Sequence, residues 1–185
     1  MGLNANAIVS VAQVKEYLKL DGTSDVALIE NIINGTATLF EKYTTSKFIN
    51  VAVVETIDGN DSDKIFVEYC PIVSLTTIKF DTVAQTITDF KFNARSGIIQ
   101  AINGSFLSGF QNIEITYQSG YGAAMANLPA DVILAALKQC EYFYKRDASD
   151  FSTTFEQGLV LKAPSEMLSP TVRDMLTPYF RNKGL

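Results

Sequence analysis

Catalysis near neutral pH most often begins with histidine, and this sequence has none. That removes the commonest general base, the usual metal ligand and the side chain that most readily changes charge near pH 7. A Ser-His-Asp triad is impossible within one chain, and no serine stands in a G-x-S-x-G elbow. The cysteines, Cys70 and Cys140, lie far apart and form no CxxC pair. Buried small apolar residues describe them better than a disulfide or a metal site does. Ser119-Gly120-Tyr121-Gly122 lacks a following Lys-Ser or Lys-Thr, and no GxGxxG pattern exists, so it reads as a turn leaving a strand rather than a phosphate cradle. Asp58-Gly59-Asn60-Asp61-Ser62-Asp63 has a superficial likeness to a calcium loop. An EF-hand loop needs Gly at its sixth position, Glu at its twelfth and a helix on each side. Here Gly is second, Tyr69 is twelfth and the flanks read as strands, so a solvated hairpin tip is expected. Acids such as Glu30 and Glu41 fall on polar helix faces. The sequence predicts no enzyme, no cofactor and no metal.

Binding chemistry is bounded by charge. Lys and Arg total 15 against 20 Asp and Glu, a formal charge of −5. A protein that grips duplex DNA by its phosphates carries the opposite balance, although an acidic surface lets the polyanion slide by. The 12 Phe and 8 Tyr could stack on bases, but most occupy inward positions without interleaved Arg or Lys, so they read as core. Met1 to Ala7 has neither a basic n-region nor an apolar h-region, and no apolar run approaches the ~20 residues of a membrane span. The expectation is a soluble protein made or assembled inside a cell, with no membrane partner.

The elements that position these residues fall into an α+β order. Ser10 caps a first helix, Gln13 completes a capping box, Val11, Val14, Tyr17 and Leu18 share a face, and Asp21-Gly22 stops it. A second helix runs from about Ser24 to Tyr43, with Ile29, Ile32, Ile33, Thr36, Phe40 and Tyr43 on its buried stripe. Gly35 costs about 1 kcal/mol there relative to Ala and suggests close packing. The middle turns to β-branched and aromatic runs: Val51–Ile57, Lys64–Glu68, Leu75–Phe80, Ile87–Asn93, Gly97–Ile102 and Asn112–Tyr117. The spacers between them suit antiparallel pairing and are too short for crossover helices. Pro129 opens a third helix, with Ile133, Ala136, Leu137, Cys140, Phe143 and Tyr144 as its stripe. From Asp150 to Pro164 periodicity is lost, which reads as an extended arm. Ser169-Pro170 then starts a short C-terminal helix, where Val172, Met175, Leu176, Tyr179 and Phe180 recur at helical spacing and Pro178 bends the end. The domain expectation is a core over 1–147, then an arm and docking helix over 148–185.

Several stretches carry a family resemblance. They are Val11-Ala12-Gln13-Val14-Lys15-Glu16-Tyr17-Leu18 with Asp25-Val26-Ala27-Leu28-Ile29, then Glu41-Lys42-Tyr43-Thr44 and Lys47-Phe48. Ile113 through Gly122 followed by Leu128-Pro129-Ala130-Asp131, and Leu168-Ser169-Pro170 through Arg181, complete the set. In this order the chain resembles the head–tail connector (adaptor, head-completion) proteins of tailed phages, over nearly its whole length. The resemblance implies a structural virion protein of the neck, assembled in the bacterial host cytoplasm. It implies a homo-oligomeric ring, a dodecamer in that family, lying beneath the portal. Such a ring extends the DNA channel without sequence-specific binding and receives a downstream neck or tail protein. A short helix cannot support itself and must pack on its own domain or on a partner. The resemblance points to a partner, the portal, and so makes Val172, Arg173, Met175, Leu176, Tyr179, Phe180 and Arg181 the expected partner-docking residues, with Arg173, Arg181 and Lys183 steering; the alternative is that the helix closes the protein's own core. The rival readings are a DNA-packaging accessory protein, which a basic stripe would favour, and a stopper or tail-completion protein, which would be predominantly β.

Overall fold

A computed structural model of the protein describes residues 2–22, 25–150 and 167–180. Its first helix, α1 (Val11–Leu18), is fixed by its ends. The Ser10 hydroxyl accepts from the Gln13 backbone N–H at 3.2 Å, and Gln13 Oε1 accepts from the Ser10 N–H at 2.8 Å. This is the reciprocal capping box that the sequence predicts. The helix stops earlier than Asp21-Gly22, because Lys19 itself takes the left-handed conformation (φ 56°, ψ 43°) and closes the last turn. The second helix, α2 (Val26–Thr44), buries Ile29, Ile32, Ile33, Thr36 and Phe40 as predicted, adds Ala37 and Leu39, and leaves Tyr43 half-buried. Gly35 is exposed, and a Cβ built on it meets nothing within 4 Å, so no close approach within the described chain demands it.

The middle of the chain forms two antiparallel sheets. In chain order the strands are β1 (Val51–Gly59), β2 (Lys64–Phe66), β3 (Ile72–Phe80), β4 (Val83–Ala84), β5 (Phe90–Asn93), β6 (Ile98–Ala101) and β7 (Gly109–Ser119). One sheet runs β1-β7-β3-β4 and the other β2-β6-β5. Strand β7 is central to the larger sheet, and its alternation is complete: Ile113, Ile115 and Tyr117 are all 0% exposed. They pack with Ile65, Ile72, Ile78, Ile99 and Phe106 into one core. The buried Tyr117 hydroxyl donates to the Glu55 carboxylate and accepts from the Tyr69 N–H at 3.1 Å. Burial first, and then the Glu55 hydrogen bond, hold its pKa well above the usual phenol range.

The Asp58–Asp63 segment does not cap a hairpin. Strand β1 pairs with β7 and β2 with β6, so the segment carries the chain from one sheet to the other. Among the described residues its carboxylates belong to no group of three or more His, Cys, Asp or Glu side chains that could hold a metal ion. Asp58 Oδ1 accepts from the Gln111 N–H at 2.6 Å, and Asp61 Oδ1 from the Ser108 N–H at 2.8 Å. Gly120 leaves β7 at φ 149°, where a Cβ would come within 2.6 Å of the Asn50 backbone, so the Gly-Tyr turn is a structural one.

The third helix, α3, spans Ala130–Asp150. A short α4 (Pro170–Leu176) follows, continued by a 3-10 turn at Thr177–Tyr179. The structure packs into two units, each with its own interior: a helical one from Met1–Thr44 and Ala124–Phe180, and a β unit built on Thr45–Ala123. Cys70 and Cys140 are free and buried. Cys140 lies 3.7 Å from the Thr36 hydroxyl, and burial pushes its thiol pKa up to about 11. No helix among the described residues is long and apolar enough to cross a membrane.

Candidate partner-docking site

The helix α4 is set up by local chemistry. Ser169 caps it, accepting from the Val172 N–H at 3.4 Å, and Pro170 occupies the first turn, where its missing N–H costs nothing. Pro178 falls in the 3-10 turn, so the chain tightens and ends there as predicted. A seven-residue helix is unstable alone in water. Here it is held by its own unit. Val172 and Leu176 are 0% exposed, and Leu168 just before them is 5% exposed. They pack on the α3 side of the helical unit.

Three polar or aromatic contacts lock this arrangement. Gln139 on α3 is fully buried, and its amide faces the returning chain: Nε2 donates to the Met167 carbonyl and Oε1 accepts from the Ser169 N–H, both at 3.1 Å. The Tyr179 hydroxyl reaches both Asp131 carboxylate oxygens, at 2.7 and 2.8 Å. Phe180 lies against Tyr43 of α2, ring centroids 5.8 Å apart. The buried face of α3 is therefore Val132, Ala135, Ala136, Gln139 and Cys140, turned from the predicted stripe, so that Ile133, Leu137, Phe143 and Tyr144 are only half-buried. Gln139 was missed because a polar residue does not register in an apolar stripe. The signal was its place at i+7 from Val132, in line with Ala135 and Ala136.

The predicted docking residues thus separate. Val172 and Leu176 are consumed in the helix's own seat. Arg173 is exposed, Met175 and Tyr179 are half-buried, and Phe180 is 50% exposed. Arg181 and Lys183 lie outside the described residues. Among the described docking residues, what is left uncovered in whole or part is one cation, a thioether and two aromatic rings. That composition can dock on a protein.

Comparison with known proteins gives this surface its setting. The family model described as head completion protein matches residues 7–182. No curated protein matches the sequence. Among solved structures, a chain from "Neck of empty GTA particle computed with C6 symmetry" aligns with a TM-score of 0.72 at 15% identity, covering 100% of this chain and 96% of that one. A chain from the neck of the native particle, computed with C12 symmetry, gives 0.70 at 15% identity, with 100% and 98% covered. One from the virion of the native gene transfer agent particle gives 0.72 at 14%, with 100% and 95% covered. At such identities the structural likeness speaks for a shared fold over the whole chain. The family match speaks for more: this chain belongs to the head completion protein family and is a structural virion protein.

Proposed function

We propose that the protein assembles into a homo-oligomeric ring beneath the portal, lengthens the DNA channel and joins the head to the next neck or tail component. The observation that carries this reading is the head completion match running through both units, from residue 7 to 182. Chains of the same fold in necks treated with C6 and C12 symmetry support a ring, a dodecamer being one such arrangement. The negative balance, 20 acids against 15 bases, suits a conduit that must not retain DNA. The reading gives the chain no catalytic step, no metal and no cofactor.

In this proposal the C-terminal segment meets the portal while α4 stays in its seat. Val172 and Leu176 hold the helix, and Arg173, Met175, Tyr179 and Phe180 face the partner; Arg181 is the further docking residue that the resemblance implies. The test compares two variants in co-sedimentation with portal-bearing heads that lack the protein. Arg173→Glu combined with Phe180→Leu reverses the exposed charge and trims the ring while keeping an apolar side chain over Tyr43, so the fold should hold while head binding falls by about tenfold or more. Deleting residues from Ser169 onward also removes Leu168's neighbours Val172 and Leu176, so it should lower the melting temperature as well. Undiminished head binding by the double variant would remove the docking assignment.

A further inference from the structure

One end of the β unit gathers exposed apolar side chains, and backbone contacts bring them together. Gly59 of β1 stands opposite Gly109 of β7, next to Phe110, which is 82% exposed. Leu107 precedes them at 63%. The turn after β3 joins the same end, since Asp81 N–H donates to the Asn112 carbonyl at 2.8 Å, and it carries Val83, 63% exposed. The end of the smaller sheet joins through the Asp58–Asp63 segment, where the Ala101 N–H donates to the Asp63 carbonyl at 2.9 Å, and Ile102, 45% exposed, follows, its N–H donating to the Asp89 carbonyl at 2.8 Å. Beneath lies an aromatic floor in which the Phe80, Phe90 and Phe106 centroids are 5.7–6.1 Å apart.

This end is built rather than loose. Phe106 O accepts the N–H groups of Asn60 and Asp61, at 3.2 and 2.8 Å, and Asn112 bridges the Gly59 N–H (2.9 Å) and the Leu107 carbonyl (2.9 Å). A Cβ on Gly59 would lie 1.7 Å from the Leu107 carbonyl oxygen, so only glycine admits this approach. Gln111, beside Phe110, is held at φ 49°, an uncommon conformation for its type. A rigid scaffold that presents a bare phenylalanine has already met the ordering cost of a binding hot spot.

The charge around it is acidic on balance. Asp58, Asp61, Asp81 and Asp89 are all exposed at this end. Two of the flanking cations, Lys64 and Lys91, remain exposed, whereas Lys79 is taken by Glu114 at 2.6 Å. Four carboxylates repel a phosphate backbone, which rules against nucleic acid. A second copy is a poor counterpart, since the whole chain carries 20 acids against 15 bases, and Lys145 is already paired with Glu141 at 2.6 Å, Lys47 covers the Tyr69 ring and Lys15 donates to the Gly22 carbonyl.

We propose that this end of the β unit docks a separate protein that presents an apolar socket rimmed by lysine or arginine. Resting on the neck reading above, that protein is the component the head acquires after this one. The test uses heads made without the chain, tails or neck components purified from the same particles, and three forms of the full chain: wild type, Phe110→Asp with Leu107→Asp, and Asp81→Asn with Asp89→Lys. Melting temperature, ring formation, head binding and head–tail joining are read on each. Both variants should fold, form rings and bind heads as wild type does, while joining falls at least about tenfold. Undiminished joining by both variants overturns the proposal. Loss of head binding would place the portal on this surface, and loss of the ring a second copy of the chain; either overturns it too. A wild-type chain that binds no heads removes the neck reading itself, and this proposal with it.

Discussion

A glutamine amide sealed inside an apolar face must satisfy both its ends, and Gln139 does so on the chain returning to α4. Replacing it with leucine would take away the amide that pairs the Met167 carbonyl and the Ser169 N–H. Gln139→Leu should therefore destabilise the protein by about 1–3 kcal/mol in urea unfolding, although it conserves volume and adds apolar surface. A wild-type midpoint would show that water reaches the seat. Tyr117 makes a prediction of another kind. Its pKa is raised in the fold, so the protonated hydroxyl is the form the fold favours. Its contribution is complete below the ordinary phenol value near 10 and is lost as pH rises above it. Denaturation followed upward from about pH 9 should show falling stability, with a shallower fall in Tyr117→Phe. Burial raises Tyr121 in the same direction, so some slope should survive the substitution. Neither residue announces its role in sequence. An inward tyrosine and an inward glutamine look alike until their partners, 62 and 30 residues away, are placed.

Elements whose signals are local were legible. The Ser10–Gln13 box needs only adjacent residues, and β7 declares itself because Ile113, Ile115 and Tyr117 alternate with polar neighbours beside a solvated face. Elements that depend on distant pairing were not. Strand β4 is two residues long and exists because it pairs with the end of β3, and the Asp58–Asp63 segment looks like a hairpin tip until β7 and β6 claim its flanking strands. The exposed Lys19 ends α1 because the turn it enters suits a left-handed residue, an outcome that glycine-seeking rules place three residues too late, at Gly22. The candidate site was half legible. The cap, the proline and the apolar spacing of α4 gave its place, but nothing in a seven-residue stripe says whose surface it covers. The helical scaffold itself makes a plain prediction. Phe40 is 0% exposed on α2, so Phe40→Ala should cost about 3–5 kcal/mol in thermal or urea unfolding. Unchanged stability would contradict the packing of that helix.

At the scale of the whole molecule, the chain divides its labour between a helical unit that seats its own C-terminal segment and a β unit that displays a rigid acidic–apolar end. Among the described residues no group of three or more His, Cys, Asp or Glu could hold a metal ion, and both units are spanned by one head completion match. The account therefore stands or falls on where the protein sits in a particle. The direct measurement is cryo-electron microscopy of DNA-filled heads made without the protein, imaged before and after adding the purified chain. The account predicts new ring-shaped density at the portal vertex and at no other vertex, with an axial opening wide enough for duplex DNA. Density spread over the capsid, or heads unchanged by saturating protein, would contradict it.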